Sequence, residues 1–406
     1  MIIFPQCENL RTAIRSCFMM GILPLKLPFP ENKKMQRAYA IYSKIIFYYF
    51  FAFIITAYIE LFLVLNESPI RKDMMSLNLC VTLIYTLTFA RRAIVEFSPS
   101  FQKMIYNIIE DEAKGDPIDD ELIQKLDKKR IDDTNWKFRI YVYFIISVCL
   151  LYLIKPVLMG PIEETYENVT RTVRMLPISS WFPFDAQEHY KFAYISHSIT
   201  CMIGGPTVLA VDLLLSSLIA YPYRQLIKLD YFLKNFQNFK RKYQTLNAIE
   251  DEEKASFFFF KYLINKHKNI IRYVNTYNKN MAYSMVFDFI QSSVQIATIL
   301  TQVLGNEISL MLIVSIFVFW VTMVMRIFLY YYYANELLNM SQKLAYSIWE
   351  SNWPDEGPKI KFMVFMFIMR TQKPLAFKIG PFSQMSLMSF ISVLKATYSY
   401  VMLILT

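Results

Sequence analysis

The stretch Ala40-Ile-Tyr-Ser-Lys-Ile-Ile-Phe-Tyr-Tyr-Phe-Phe-Ala-Phe-Ile-Ile-Thr-Ala-Tyr-Ile-Glu-Leu-Phe-Leu-Val-Leu65 carries only two charges, Lys44 and Glu60. A hydrocarbon core about 30 Å thick needs about 20 apolar helical residues per crossing, so 40–65 reads as a membrane span. Working outward, 74–95, 140–159, 192–221, 282–304, 308–333 and 381–406 meet the same measure. The expected fold is all-α: a polytopic membrane protein of one domain with seven transmembrane helices. An odd number of crossings places the two ends on opposite sides.

Composition agrees. Hydrophobic residues make up 55% and charged residues 19% of the chain, whereas a soluble protein of this length carries more charge. The net charge of +10 does not point to nucleic acid, because the basic residues lie between the spans. Of five cysteines, Cys80, Cys149 and Cys201 fall inside spans and Cys7 and Cys17 in the N-terminal arm, which is no disulfide framework. No cleavable signal peptide is expected, since Glu8, Arg11 and Arg15 interrupt the first apolar residues. Residues 17–29, broken by Pro24 and Pro28, read as a short helix on the membrane surface.

Lysine and arginine set the orientation, because segments rich in them stay cytoplasmic. Segments 1–39, 96–139, 222–281 and 334–380 hold 6, 8, 12 and 6 of them, against 2, 3 and 0 in 66–73, 160–191 and 305–307. The N-terminus is therefore expected inside. The sequons at Asn66 and Asn168 then fall outside and are candidate glycosylation sites, whereas Asn339-Met-Ser341 is cytoplasmic. G-protein-coupled receptors have the opposite topology, and their Asp-Arg-Tyr and Asn-Pro-x-x-Tyr motifs are missing here. Apolar residues at helical spacing in 99–131 (Ile108, Ile109, Leu122, Ile123, Leu126) and 226–280, with the aromatic run 257–260, predict a cytoplasmic helical bundle into which spans four to six continue through 222–281 and 334–380.

Two neighbouring stretches carry a family resemblance. The first is Tyr331-Tyr-Tyr-Ala-Asn-Glu-Leu-Leu338 with Ser341, Ala345-Tyr346, Trp349 and Trp353. The second is Met369-Arg-Thr-Gln-Lys-Pro-Leu375, Gly380 and Phe390-Ile-Ser-Val-Leu-Lys-Ala-Thr-Tyr-Ser-Tyr400. Together they resemble the end of insect odorant receptors, and Gly21-Ile-Leu-Pro24 resembles that family's motif before span one. The resemblance implies a ligand-gated cation channel of the plasma membrane in olfactory neuron dendrites. It implies a tuning subunit, joined to the odorant receptor co-receptor in a hetero-tetramer. Span seven would line the pore, and the helix 358–372 would help form the intersubunit anchor. By resemblance Leu403 falls at the apolar gate, with Thr406 three residues on and Tyr400 one turn inward. The alternative is that these apolar residues face lipid. Lys395 is costly against lipid and is expected to face the pore or a polar interface.

The resemblance also places a small volatile odorant among the outer halves of spans two, three, four and six. Candidate wall residues are Val81 and Tyr85, Ser147 and Leu151, His197, Cys201 and Met202, and Leu312, Ser315 and Phe319, each group sharing roughly one helix face. Ser147, His197 and Ser315 could hydrogen-bond a ligand, while Met202 and Phe319 would add contact area. Ordinary helix packing is the alternative for each. Three histidines in all make a metal site unexpected, and no cofactor is implied. Asp212 and Asp288 read as structural partners. In the expected mechanism, ligand shifts the packing of spans five to seven and widens the constriction.

An insect gustatory receptor is the runner-up; it shares the Thr397-Tyr398 pair, but its terminal Gln-Phe is missing. A transporter would want inverted repeats and broken helices, for which Gly204-Gly205-Pro206 is the one hint. No nucleophile–base constellation suggests an enzyme.

Overall fold

The N-terminal arm forms a short amphipathic helix, α1 (Arg11–Met19), with Ala13, Ile14 and Cys17 buried. It lies earlier than the surface helix expected at 17–29, because Gly21 adopts φ +68° and ends the run, a conformation glycine takes without steric cost. A Cβ at Gly21 would also come within 2.9 Å of Ser43 Cα. A computed structural model describes residues 7, 8, 10–23, 32–67, 72–166, 169–305, 310–351 and 353–405.

Helix α2 (Lys33–Asn66) starts at Asn32, whose Oδ1 accepts from the backbone N–H of Lys34 (3.1 Å) and Met35 (3.2 Å), satisfying two otherwise open donors. Then come α3 (Lys72–Phe97), α4 (Pro99–Lys114) and α5 (Glu121–Met159). The antiparallel strands β1 (Pro161–Tyr166) and β2 (Val169–Arg174) pair from Pro161↔Arg174 to Tyr166↔Val169. Helices α6 (Tyr190–Lys234), α7 (Phe236–Leu246), α8 (Glu252–Gly305), α9 (Leu310–Trp349) and α10 (Pro358–Thr371) follow. The short strands β3 (Lys378–Ile379) and β4 (Ser383–Gln384) precede α11 (Leu387–Leu405). The last predicted span thus begins its helix at Leu387, since Gly380 (φ +57°) turns the chain into a hairpin around Pro381. The two hairpins are the additions to an otherwise all-helical reading.

Five of these helices, α2, α3, α5, α6 and α9, are long and apolar enough to cross a membrane; the 282–304 part of α8 and α11 complete the seven. Helix α8 is the polar one: Asp288, Gln291, Ser292, Ser293 and Gln295 are all buried on the side turned into the bundle, while Tyr283, Phe287 and Ile290 are exposed. Helix α6 is buried almost all round from Thr207 to Pro222, the signature of a central helix. By contrast, α2 exposes Ile41, Ile45, Tyr48, Phe62 and Leu65, an apolar face suited to lipid. Cys17 of α1 closes one side of α6 by donating to the Ala210 carbonyl (3.3 Å).

Four charges sit at the centre. Arg91 lies 3.5 Å from Asp212 and 3.4 Å from Asp288, and Arg326 lies 3.0 Å from Asp288. All four are 1–2% exposed. Tyr141 and Tyr330 donate to Asp212 (2.8 and 2.6 Å), Arg91 donates to Ser284 (3.0 Å) and Arg326 to Ser292 (2.9 Å). Two cations and two anions that neutralise one another can stay buried. The cluster ties α3, α5, α6, α8 and α9 together.

Beyond the apolar zone, α4, α7, α10 and the continuations of α5, α6, α8 and α9 form a second, charged bundle. Lys228 bridges Asp119 (3.1 Å) and Asp127 (2.9 Å), and Lys240 bridges Glu252 and Glu356 (both 3.1 Å). Of the 257–260 run, Phe259 and Phe260 are buried, Phe259 against Phe236 at 5.2 Å. His267 packs on Phe367 (5.0 Å); burial first, and then Arg370, push its pKa down to about 4, so it stays neutral in the fold.

Candidate functional site

At the end of the bundle that carries β1–β2, a cleft of about 450 Å³ opens between α3, α5, α9 and residues 173–187. That volume lies in the range of small-molecule sites. Its apolar wall includes Met74, Leu77, Leu151, Tyr152, Ile316 and Phe319, and its roof is Met175, Leu176, Trp181, Phe182 and Phe184. Aromatic rings supply much of the surface: Tyr152 meets Phe319 at 6.0 Å, and Phe182 meets Phe184 at 5.1 Å.

The roof is held by its backbone. The Trp181 N–H donates to the Thr56 carbonyl of α2 (3.1 Å). Asn78 of α3 donates to the carbonyls of Ala57 (3.1 Å) and Ser179 (3.3 Å), and the Tyr190 hydroxyl to that of Met175 (2.9 Å). The contacts to the Trp181 N–H and to the Ser179 and Met175 carbonyls satisfy backbone groups that a folded-back loop would otherwise strand.

Of the ten residues expected to wall a pocket, Leu151, Ser315 and Phe319 line this cleft. His197 stands one layer behind: its Nε2 hydrogen-bonds the lining residue Ser180 (2.8 Å) and its ring packs at a tilt against Phe182 (4.9 Å). Val81, Tyr85 and Cys201 are instead buried in a neighbouring apolar cluster with Phe50, Phe53 and Met323. Tyr85 is drawn in by Gly204, where a Cβ would meet its hydroxyl at 2.2 Å; Gly205 likewise makes room for the Cys149 thiol. The Gly204-Gly205-Pro206 segment is continuous helix and not the break a transporter would need. Ser147 turns its hydroxyl onto the Tyr143 carbonyl (2.8 Å). Met202 points outward at 62% exposure, one position round the helix from Cys201. The Leu312 side chain lies outside the described residues.

Sequence reasoning missed the roof and the lining residues Glu60, Cys80 and Lys155. The aromatic run Trp181-Phe-Pro-Phe184 was the available signal: so many rings in one loop must be buried against something.

Helix α11 packs on α8 and α9, with Val393 and Thr397 buried and Met388, Ile391, Ser392, Lys395 and Ser399 on the open face. The side chains of Tyr400 and Leu403 lie outside the described residues, as does Thr406. Asn66 is exposed at the end of α2, its Nδ2 donating to the Phe62 carbonyl (2.7 Å); Asn168 lies outside the described residues. Among the described residues no histidine, cysteine, aspartate and glutamate grouping could hold a metal.

Comparison with known proteins agrees with this layout. The solved structure of the insect olfactory receptor OR5 from Machilis hrabei in complex with eugenol superimposes with a TM-score of 0.79, covering 99% of both chains at 15% identity. Odorant receptor 67c of Drosophila melanogaster is 23% identical over 66% of this chain and 64% of its own length. Odorant receptor 10 of Aedes albopictus is 31% identical over 34% of this chain and 36% of its own length. The chain thus spans less than two thirds of the length of the curated relatives it matches. A family model described as "7tm Odorant receptor" matches residues 73–398. The chain is a multi-pass membrane protein that belongs to the odorant receptor family, a family of receptors and not of enzymes.

Proposed function

We propose that the chain is the odorant-tuning subunit of a ligand-gated, non-selective cation channel, and that the cleft over Leu151, Tyr152, Ser315 and Phe319 is its odorant site. The carrying observation is this largely apolar cleft, of a size for a small volatile, at the hairpin end of the bundle. The relative from Machilis hrabei was solved with eugenol, a ligand of that class. In this reading the chain sits in the plasma membrane of olfactory sensory neurons, N-terminus and charged bundle in the cytosol, with Asn66 and Asn168 outside. It assembles with the odorant receptor co-receptor into a hetero-tetramer. The open face of α11, with Lys395, meets the pore or a neighbouring subunit, and the family resemblance assigns Tyr400, Leu403 and Thr406 to the gate. Ligand widens that constriction because it prefers the open packing of α8, α9 and α11.

Voltage-clamp recording of cells challenged with a panel of volatiles tests this. Cells expressing the chain with the co-receptor should pass ligand-evoked cation current, and cells expressing it alone should pass little. Second-messenger signalling without current would overturn the channel reading.

A further inference from the structure

We propose that the cleft is tuned to volatile carboxylic acids, bound as carboxylates by Lys155, an inference that rests on the cleft being the odorant site.

Lys155 lines the cleft near the end of α5. It is half-buried and makes no ion pair or hydrogen bond with any described residue. The wall's serines, its amide and its other charged groups are engaged. Ser315 donates to the Met311 carbonyl (2.7 Å), Ser180 is bonded to His197, and Ser179 to Asn78. Gln187 is bonded to the Arg174 backbone, the Arg174 guanidinium covers the Tyr190 ring at 5.5 Å, and Glu60 has an interaction of its own. One ammonium, with three donors to give, is therefore left over in a mostly apolar volume.

An unpaired charge in such surroundings is unfavourable, and a carboxylate supplies the missing partner through charge-assisted hydrogen bonds. The geometry suits an amphipathic ligand. Leu151 and Lys155 are four residues apart on one face of α5, so a carboxylate on Lys155 runs its tail back along Leu151 toward Tyr152, Ile316 and Phe319. Carboxylic acids with pKa values near that of glutamic acid, about 4.3, are ionised at neutral pH. An alcohol or ester with the same skeleton keeps the apolar contacts and loses the ion pair.

The test uses the full chain with the co-receptor and matched ligands: butanoic to octanoic and phenylacetic acids, their primary alcohols and their methyl esters. Acids should act at concentrations at least about tenfold below the matched alcohols. Lys155→Met should raise the half-maximal concentration of acids at least about tenfold more than that of alcohols, about 1.4 kcal/mol of lost discrimination, and Lys155→Arg should keep the acid preference. Wild-type responses favouring alcohols or esters would overturn the proposal, as would a Lys155→Met shift equal for acids and alcohols. Leu151→Trp, which fills the cleft, separates the two readings. If it leaves both series unchanged, the cleft itself is not the site. If it silences both while Lys155→Met spares the acids, only the acid assignment fails.

Discussion

Asp288→Ala is expected to remove most of the folded protein. Asp288 is the carboxylate that Arg91 (3.4 Å) and Arg326 (3.0 Å) share, inside a cluster with no access to water. Without it, two guanidinium groups face the single carboxylate of Asp212, and one positive charge is left buried. Breaking a buried pair in this way costs roughly 3–5 kcal/mol, a large part of the 5–15 kcal/mol that typically holds a protein folded. Fluorescence-detected size exclusion of detergent-solubilised protein, after a heating series, reads the outcome. Asp288→Ala should show a collapsed monodisperse peak and a lowered melting temperature. The double change Asp288→Ala with Arg326→Met should recover part of the loss, because it removes one surplus cation along with the anion, and contacting residues do not add independently. An unchanged profile in the single variant would show that the cluster does not hold the bundle.

The second large effect is on response. Leu151→Trp should raise the half-maximal concentration of every effective ligand by at least about tenfold, equivalent to about 1.4 kcal/mol of lost binding, while the protein still reaches the cell surface. Leu151 borders open volume, so the larger indole can occupy the cleft without the overpacking strain of a filled core. Surface labelling of an epitope tag separates lost delivery from lost binding. Met202→Trp is the contrast: its side chain points away from the cleft and is 62% exposed, so responses should stay near wild type.

The sequence made the apolar spans legible because membrane crossing is a matter of length and unbroken hydrophobicity, and 40–65 has both. It also pointed to buried acidic residues with structural partners, and Asp212 and Asp288 found Arg91 and Arg326. The pocket was harder to read. Helical spacing tells which residues share a face, but not which way that face turns. Cys201 and Met202 are neighbours, and one is buried while the other is exposed. Tyr85 was displaced from the expected wall by a glycine on another helix, a contact that no single-helix pattern contains. The roof came from a loop, whose path depends on hydrogen bonds to Thr56 and Asn78 that have no period at all. Lys155 was hidden for a different reason: a lysine near the end of a span reads as one that reaches for the interface, and what sets it apart in three dimensions is that it has no partner among the described residues.

The most direct test of the cleft as odorant site is protection of a cysteine placed in it. In a Cys80→Ser background, where serine can keep the bond to Thr298 (2.9 Å), Leu151→Cys is exposed to an extracellular methanethiosulfonate reagent, and loss of ligand-evoked current gives the rate of modification. A saturating agonist should slow that rate several-fold at Leu151→Cys and leave it unchanged at Met202→Cys. Equal rates at Leu151→Cys with and without agonist would contradict the account.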